Sequence, residues 1–249
     1  MLLSQPEIDI SSSSAILKGL NHSELETVFG AARIKDLSDG AFFFMESDPA
    51  DKAYILLTGK VKLAQVTSDG QQVILGYLVP GRVYGIIAIL KKVTYPVSAQ
   101  AVGDSRALYW DQVTLNQLME QLPRIALNAM RIMAGQIREF QNTIRDLSTQ
   151  RVEQRIARAV VRLARQSGKK TNEGVLIDLP ISRQDLAEMT GTTLFTVSRV
   201  FKAWENLGLV RSKRQRVLIT FPHGLVKIAE DLPDSQGEKT PPADDMCDI

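Results

Sequence analysis

One segment restricts the fold of this chain more than any other: PISRQDLAEMTGTTLFTVSRVFKAWENLGLV holds two short helix signals separated by one glycine. Ser182, followed three residues later by Asp185, is a helix-start signature. Gly191 stands where a tight turn between two helices needs a residue that can adopt positive φ. Thr192 or Thr193 can cap the second helix. The segment therefore predicts a helix-turn-helix.

The second of these helices is predicted to have one buried and one exposed face. Apolar residues recur at helical spacing on the face that we expect to be buried: Leu194, Val197, Phe201 and Trp204. The opposite face, which we expect to be exposed, holds Phe195, Ser198, Arg199 and Lys202. An exposed face of this kind is what a recognition helix presents to the major groove of DNA.

A β-hairpin is predicted directly after the helix pair, in the sequence GLVRSKRQRVLITF. Its tip, residues 212–216, is basic, so we expect it to lie close to phosphate groups. The capping signal, the glycine turn, the small Ala187, the two faces and the basic hairpin together predict a winged helix-turn-helix.

Charge is distributed unevenly along the chain. The formal net charge of +2 divides into −1 for residues 1–148, +8 for residues 149–222 and −5 for residues 223–249. A compact basic segment can neutralise the phosphates of a nucleic acid. A solvated helix face would produce the same charge, because arginines recur at helical spacing at Arg151, Arg155, Arg158, Arg162 and Arg165. The helix-turn-helix pattern favours nucleic-acid binding over this alternative.

Residues 33–110 show a different pattern, in which short Val, Ile, Leu and Tyr runs are separated by turn signals about ten residues apart. The turn signals are Asp39-Gly40, Thr58-Gly59, Asp69-Gly70 and Pro80-Gly81. This pattern predicts a compact antiparallel roll or barrel. A short helix is expected before it, with Ser23 as the cap and Glu26 completing a capping box.

A heptad seam follows the roll. Apolar residues recur at alternating steps of four and three at Ala126, Met130, Met133, Ile137, Phe140, Ile144 and Leu147. Two interpretations are open: the helix packs against its own roll, or it forms a two-stranded homodimer coil, which the period of about 3.5 residues favours. The predicted dimer interface consists of Met130, Met133, Ile137, Phe140, Ile144 and Leu147.

Composition excludes several classes of function. The single cysteine, Cys247, cannot build an internal disulfide or an iron–sulfur or Cys-rich zinc site, and His22 and His223 are too few for a His-rich metal enzyme. No apolar run approaches the roughly 18–20 residues of a membrane span, and the N-terminus lacks signal-peptide regions. We therefore expect a cytoplasmic protein that binds no metal and no membrane, with an acidic, disordered tail from about residue 233.

The strand-rich half, the long seam helix and SRQDLAEMTGTTLFTVSRVFKAWENLGLV together resemble the Crp/Fnr superfamily of transcription regulators. DGAFFFMESDPADKAYILLTGKVKL is similar to the opening strands of the family's roll, and DGQQVILGYLVPGRVYG is similar to the segment before its ligand cassette. The likeness runs from about Leu17 to Phe221. The fold that it implies is α+β: an N-terminal antiparallel β-roll, cyclic-nucleotide-binding-like and related to the cupin-like jelly roll, then a long dimerisation helix and a C-terminal winged helix-turn-helix.

The domain division predicted from this resemblance has four parts. Residues 1–111 form an effector-binding β-roll with short N-terminal helices, and residues 112–148 form the dimerisation helix. Residues 149–222 form the DNA-binding domain, and residues 223–249 form a C-terminal extension that ends in the acidic tail. The resemblance implies a homodimer without enzymatic activity that binds double-stranded promoter DNA at a palindromic site. It would recruit or block RNA polymerase in response to a small-molecule effector.

The ligand cassette departs from that of the cyclic-nucleotide members, which carry a Glu after the cassette glycine and an Arg–Ser pair for the phosphate. Here Ile86 replaces the Glu, and no arginine lies between Arg82 and Arg106. Cyclic AMP would lack its bidentate partner, so we expect a different effector or none. The effector pocket is expected to include Gly85, Ile86, Ile87, Ala88, Ser98, Met133 and Ile137.

The other cofactors of the family also lack their ligands here. No cysteine precedes Cys247 to hold an iron–sulfur cluster, and His22 is the only histidine in the sensory half, so we expect neither a cluster nor haem. The segment TYPVSAQAV looks more like the Fnr, denitrification-regulator and halophenol-regulator branches than the cyclic-AMP receptor branch. The ligands of those branches differ too much to name an effector.

The resemblance also implies roles on the recognition helix. Arg199 matches the guanine-reading arginine of the family, and Ser198 matches a serine of the Fnr branch. Phe195 replaces a Glu that many members use to read cytosine; it would either pack on a thymine methyl or tuck against its own domain. The residues expected to contact DNA are Arg183, Thr192, Thr193, Phe195, Thr196, Ser198, Arg199, Lys202, Lys213, Arg214 and Arg216. A second hypothesis is an effector-binding module whose basic C-terminal domain contacts protein or RNA.

Overall fold

The computed structural model describes residues 4–232. The chain divides into two compact units, Met1–Asn142 and Thr143–Ile249, and the boundary between them falls inside one long helix. The predicted acidic tail and Cys247 lie outside the described residues. Within residues 4–232, no helix combines the length and the apolar character that crossing a membrane requires.

Three short helical segments precede the strands: α1 (Gln5–Ser12), a 3-10 turn (Ala15–Leu17) and α2 (His22–Gly30). The cap of α2 is Asn21, and the prediction of Ser23 was wrong. The Asn21 side chain accepts a hydrogen bond from the Glu24 amide at 3.0 Å, and the Glu24 carboxylate accepts one from the Asn21 amide at 2.7 Å. Both pairs have capping-box spacing, but asparagine caps at least as well as serine and comes first, so the helix starts earlier.

Among the described residues of the first unit, six strands form the predicted roll. They are β1 (Arg33–Leu37), β2 (Phe42–Phe44), β3 (Lys52–Val66), β4 (Gln72–Leu78), β5 (Val83–Tyr84) and β6 (Ser98–Asp111). The strand order is β1-β6-β3-β4, with β2 paired to β6 and β5 paired to β3, and every pairing is antiparallel. The long strands β3 and β6 are paired from Lys52↔Asp111 to Ala64↔Ser98, and the other strands attach to them.

The predicted dimerisation helix consists of two helices, α3 (Gln112–Gln121) and α4 (Pro123–Thr149). Proline fits the start of α4 because the first helical position needs no amide donor. The first turns of α4 are buried at Ile125, Asn128 and Ala129. The Asn128 side-chain amide donates to the carbonyl oxygens of Ile16 and Lys18, at 3.0 and 2.9 Å. These bonds attach the start of α4 to the 3-10 turn.

Alternate residues of β3 face two different apolar clusters, as the two-residue period of a strand requires. Ala53, Ile55 and Leu57 pack with residues of α2, α3 and α4, whereas Tyr54 and Leu56 face an aromatic interior. Trp110 belongs to the first cluster, and its indole Nε1 donates to the Val28 carbonyl oxygen at 2.9 Å. This hydrogen bond holds α2 on the roll.

The second unit continues from the end of α4. Its elements are α5 (Val152–Ser167), β7 (Gly168–Thr171), β8 (Gly174–Ile177), α6 (Arg183–Thr190), α7 (Leu194–Asn206), β9 (Val210–Lys213), β10 (Arg216–Ile219) and α8 (Pro222–Glu230). The strand order is β7-β8-β10-β9, again antiparallel, and α5 packs against α6 and α8. The predicted C-terminal extension therefore begins as a packed helix. The α+β fold with its roll, long helix and winged helix-turn-helix is confirmed.

Candidate functional site

The helix-turn-helix has the caps and the turn that the sequence predicts. The Ser182 hydroxyl oxygen accepts a hydrogen bond from the Asp185 amide at 3.0 Å, and the Asp185 carboxylate accepts one from the Ser182 amide at 2.7 Å. Gly191 ends α6 with φ +59°, in the left-handed region that favours glycine. The Thr192 amide then donates to the Ala187 carbonyl oxygen at 3.1 Å and closes the turn.

Helix α7 is capped by Thr193, whose hydroxyl oxygen accepts a hydrogen bond from the Thr196 amide at 3.2 Å. Its buried side chains are Val197, Phe201 and Trp204. The prediction that Leu194 joins them was wrong, because this side chain is 48% exposed. Leu194 is the first residue of α7, about one turn before the buried face begins, so its helical phase alone does not bury it.

The opposite face of α7 is exposed, as predicted. Phe195 is 77% exposed, so its ring does not tuck against its own domain. Ser198, Arg199 and Lys202 are exposed on the same face. Within residues 4–232, neither cation forms an ion pair or a side-chain hydrogen bond. The face therefore offers one aromatic ring and two unpaired cations to a partner. Of the remaining residues expected to contact DNA, Thr193 is exposed and Thr192 and Thr196 are half-buried.

The wing is the hairpin of β9 and β10, in which Lys213 pairs in register with Arg216. Its exposed cations are Lys213, Arg214 and Arg216. Among the described residues these three have no ion-pair partner, whereas Arg211 on β9 lies 3.0 Å from the Glu173 carboxylate. The basic tip is therefore available for phosphate groups, and Arg211 is neutralised within the unit.

Arg183 is placed differently from the other residues that we expected to contact DNA. Its guanidinium carbon Cζ lies 3.5 Å from the ring centroid of Phe201. Its Nη2 donates a hydrogen bond to Ser212 Oγ at 2.5 Å and lies 3.5 Å from Glu205 Oε1. Burial lowers the pKa of Arg183, and the Glu205 carboxylate opposes this shift by stabilising the charged form. One face and the Nη2 donor of the Arg183 guanidinium are therefore occupied by partners inside the domain.

Two arginines of α5 also have partners inside the unit. Arg155 donates to the carbonyl oxygens of Thr190 and Gly191, at 3.0 and 3.3 Å, where α6 ends. Arg158 pairs with Asp146 on the last turns of α4 at 2.6 Å. These contacts hold neighbouring elements on α5, and the net charge of the segment does not reveal them. Helical spacing of arginines alone could not distinguish such contacts from a solvated face.

The seam of α4 is covered at its start and uncovered beyond it. The side chains that are between 46% and 64% exposed are Met130, Ile137, Phe140, Ile144 and Leu147. Met133 differs, because it packs partly buried against the core of the roll. The first turns of α4 therefore pack on the roll, and the rest of the seam presents apolar side chains to solvent in a single chain; the homodimer coil stays a prediction.

The predicted effector residues are distributed over several places. Ile86 packs beside α4 in the cluster of Trp110 and Ile125, which borders an apolar cavity, whereas Ile87 and Ala88 face the aromatic interior from the turn that follows Gly85. The Ser98 hydroxyl oxygen accepts a hydrogen bond from the Glu46 amide at 2.9 Å. Met133 packs near Ile86, and Ile137 is exposed. The predicted effector residues therefore lie in two apolar clusters, on β6 and on the exposed part of α4.

Aromatic rings fill the interior of the roll. Phe44 stacks on Tyr95 with ring centroids 3.7 Å apart, Tyr54 stacks on Tyr84 at 5.1 Å, and Phe43 contacts Tyr54 edge-on at 5.5 Å. Burial raises the pKa of Tyr95 to about 12 and raises the pKa values of Tyr54 and Tyr84 above the ordinary range. The Tyr84 hydroxyl is buried with no hydrogen-bond partner among the described residues. The described residues that line this interior are therefore aromatic or aliphatic, and none is charged.

These features define a class of protein, a regulator that joins a sensory roll to a winged helix-turn-helix. Residues 34–122 match the family described as cyclic nucleotide-binding domain, and residues 154–228 match the Crp-like helix-turn-helix domain. The chain is 30% identical over 187 residues to the transcriptional activator protein anr of Pseudomonas aeruginosa, covering 75% of this chain and 76% of the relative. The chain belongs to the Crp/Fnr superfamily of transcription regulators.

Two further similarities extend over most of the chain. The CRP-like cAMP-activated global transcriptional regulator of Mycobacterium tuberculosis is 24% identical over 221 residues, covering 89% of this chain and 99% of the relative. The solved structure of FixK2 from Bradyrhizobium japonicum aligns with a TM-score of 0.70 at 22% identity, covering 79% of this chain and 96% of that one. The latter similarity shows the fold.

Tyrosine titration tests the burial of the tyrosines in the roll. Of the five tyrosines, we expect Tyr54, Tyr84 and Tyr95 to stay neutral in the folded protein as the pH passes about 10. Because their folded pKa values are raised, their neutral forms contribute stability that is complete below the unfolded pKa and is lost as the pH rises through the folded values. Near-ultraviolet phenolate absorbance of folded and denatured protein measures this; ionisation of all five together near pH 10 would contradict it.

Proposed function

We propose that this protein is a homodimeric, sequence-specific transcription regulator that reads a palindromic promoter site with α7 and the wing of each subunit. The observation that carries the proposal is the exposed face of α7, where Phe195, Arg199 and Lys202 lie uncovered beside the unpaired cations of the wing. A two-fold dimer presents two such helices, so its site repeats in inverted orientation. The Pseudomonas aeruginosa relative is named an activator; by analogy, RNA polymerase is the further partner here, in the cytoplasm.

The alternative is an effector-binding module whose basic domain contacts protein or RNA. Electrophoretic mobility shift of the full chain on a randomised duplex pool, followed by selection and sequencing, tests the proposed function against it. A palindromic motif that survives excess nonspecific DNA supports the regulator. Binding of all duplexes alike, or stronger binding to RNA, supports the alternative.

We propose that the effector of this protein is not cyclic AMP, although the Mycobacterium tuberculosis relative is named as cAMP-activated. At the cassette, Ile86 is 4% exposed among apolar side chains and offers no acceptor for a ribose hydroxyl. No arginine lies between Arg82 and Arg106, and the Ser98 hydroxyl already accepts a hydrogen bond. An anionic phosphate at this place would lack the partners that offset its desolvation. We also propose that no iron–sulfur cluster or haem takes part.

Arg199 and Lys213 should affect DNA binding in different ways. Arg199 is expected to donate two hydrogen bonds to a guanine, so Arg199→Ala should relax the preference at one G·C pair per half-site, a loss of roughly 1–3 kcal/mol of discrimination. Lys213→Ala removes a phosphate contact, so it should weaken all sequences alike and reduce the salt slope by about one unit. Binding selection and salt titration measure both effects. An unchanged selected motif for Arg199→Ala would show that the recognition helix is misassigned.

Phe195 should read a thymine methyl group. We expect replacement of one thymine in each half-site by deoxyuridine to weaken wild-type binding by roughly fourfold per half-site, because each half-site loses one buried methyl group. The same replacement should not affect Phe195→Ala, and Phe195→Glu should shift the selected base towards cytosine. Leu194, also exposed, offers the matched control Leu194→Ala. Equal sensitivity of wild type and Phe195→Ala at every thymine would exclude this contact.

The exposed seam should form the dimer interface. Ile137→Glu places an unpaired charge in the seam, which should cost several kcal/mol, so sedimentation should show mostly monomer. Asn142→Glu is the matched control, because it adds the same charge on the opposite face of α4 and should leave the dimer intact. DNA affinity should fall with Ile137→Glu only, since a monomer engages one half-site. A stable Ile137→Glu dimer would contradict the assignment.

Cyclic AMP should not act on this protein. Calorimetry at millimolar cyclic AMP should give no heat of specific binding, and the affinity for the selected DNA should not change, because the cassette lacks the polar groups for ribose and phosphate. The comparison is the double variant Ile86→Glu and Val97→Arg, which places a carboxylate directly after Gly85 and an arginine directly before Ser98. Micromolar binding of cyclic AMP to the wild type would contradict our interpretation of the cassette.

A further inference from the structure

Arg183, Glu205 and Ser212 form a small network inside the second unit, and we name these three residues the wing brace. Arg183 donates to Ser212 Oγ at 2.5 Å and lies 3.5 Å from the Glu205 carboxylate. The Ser212 hydroxyl in turn donates to the same Glu205 oxygen, Oε1. The face of the guanidinium group is covered by the Phe201 ring, with Cζ 3.5 Å from the ring centroid. Ring and carboxylate together hold the guanidinium in one orientation.

The wing brace joins three elements through side-chain contacts. Arg183 begins α6, Glu205 lies in the last turn of α7, and Ser212 lies on β9. Strand β9 is an edge strand that pairs only with β10 in the four-stranded sheet. The hydroxyl of Ser212 is therefore a direct attachment of this edge to the two helices.

The position of the brace matters because the basic side chains of the wing come directly after it. Lys213 follows Ser212 in β9, and Arg214 begins the turn to β10. Successive side chains of a strand point to opposite faces, so when Ser212 is held against the helices, Lys213 is directed outward. Lys213 is exposed, and Ser212 is half-buried. The brace therefore sets where the first wing cation lies relative to α7.

We propose that Arg183 is a positioning residue that, through Glu205 and Ser212, places the wing so that its cations reach phosphates while α7 reads bases. This inference rests on the proposed function of α7. It replaces our expectation that Arg183 itself contacts DNA, because its ring, carboxylate and hydroxyl partners already use its face and its Nη2 donor.

The first test needs no DNA and measures amide hydrogen exchange in the free dimer. Ser212→Ala removes the hydroxyl, and Arg183→Lys keeps the charge but loses the planar fork and the stack. Both should speed exchange of the β9 and β10 amides at least severalfold, without changing exchange in the buried face of α7. Ser212→Thr keeps a hydroxyl and should behave as wild type. Arg211→Ala is the matched control on the same strand, because it breaks only the exposed pair with Glu173.

The second test measures DNA affinity against salt on the selected site and on unrelated duplexes. Arg183→Lys should weaken binding to all sequences by a similar factor, lower the salt slope by about one unit, and leave the selected motif unchanged. Combined with Lys213→Ala, it should cost less than the sum of the two single changes, because both act through the wing. A residue that touches phosphate directly would tolerate lysine and would add fully to Lys213→Ala.

The outcomes separate the brace from the proposed function. Unchanged wing exchange in Ser212→Ala and Arg183→Lys, or full additivity with Lys213→Ala, overturns the brace while leaving a sequence-specific wild type in place. A wild type that binds every duplex alike overturns the proposed function and the role of the brace with it, whatever the exchange rates are. Faster wing exchange, rescue by Ser212→Thr and an unchanged motif support the brace.

Discussion

The orientation of the exposed face of α7, which we propose reads bases, depends on the burial of the opposite face. Val197, Phe201 and Trp204 are fully buried, and the Trp204 indole Nε1 donates to the Glu153 carboxylate on α5 at 2.8 Å. Full burial of a large apolar side chain contributes roughly 1.5–3 kcal/mol, so these three residues fix the rotation of α7 about its axis strongly. Because side-chain directions on a helix are fixed relative to one another, Phe195 and Arg199 are then necessarily outside. The same core supplies the Phe201 ring on which Arg183 stacks.

The sequence allowed prediction where the interacting groups are close along the chain. The capping box at Ser182, the left-handed Gly191 and the Thr193 cap each depend on residues within about one turn, so local patterns were sufficient. The bonds that were not predicted join distant residues: Arg183 and Ser212 are 29 residues apart, and Arg158 and Ala229 are 71 apart. The predictions for Leu194 and for the cap of α2 were wrong for a different reason. Helical phase did not decide whether Leu194 is buried, and capping-box spacing allowed either Asn21 or Ser23 as the cap. Only the fold selects one outcome in each case.

The roll matches the cyclic nucleotide-binding domain family, but its cassette has Ile86 in the place of a Glu and no arginine between Arg82 and Arg106. Ile86 lies with Trp110 and Ile125, whereas stacked and edge-on rings fill the interior on the other side of β3. Burial of these rings raises the phenol pKa values, and an unpaired phosphate placed among them would not recover its desolvation cost. The sequence predicted the loss of the phosphate partners, since that follows from residue identity. It could not predict the ring packing, which depends on the register of β2, β3 and β6.

Helix α4 is buried to different degrees along its length. Near its start, Asn128 donates to two carbonyl oxygens of the N-terminal segment and belongs to the core of the roll. Near its end, Asp146 pairs with Arg158 of α5. Along the same helix, the seam side chains are 46–64% exposed at Met130, Ile137, Phe140, Ile144 and Leu147. Apolar side chains left exposed in a row mark a surface that a partner would cover, and this is the physical basis of the dimer that we propose.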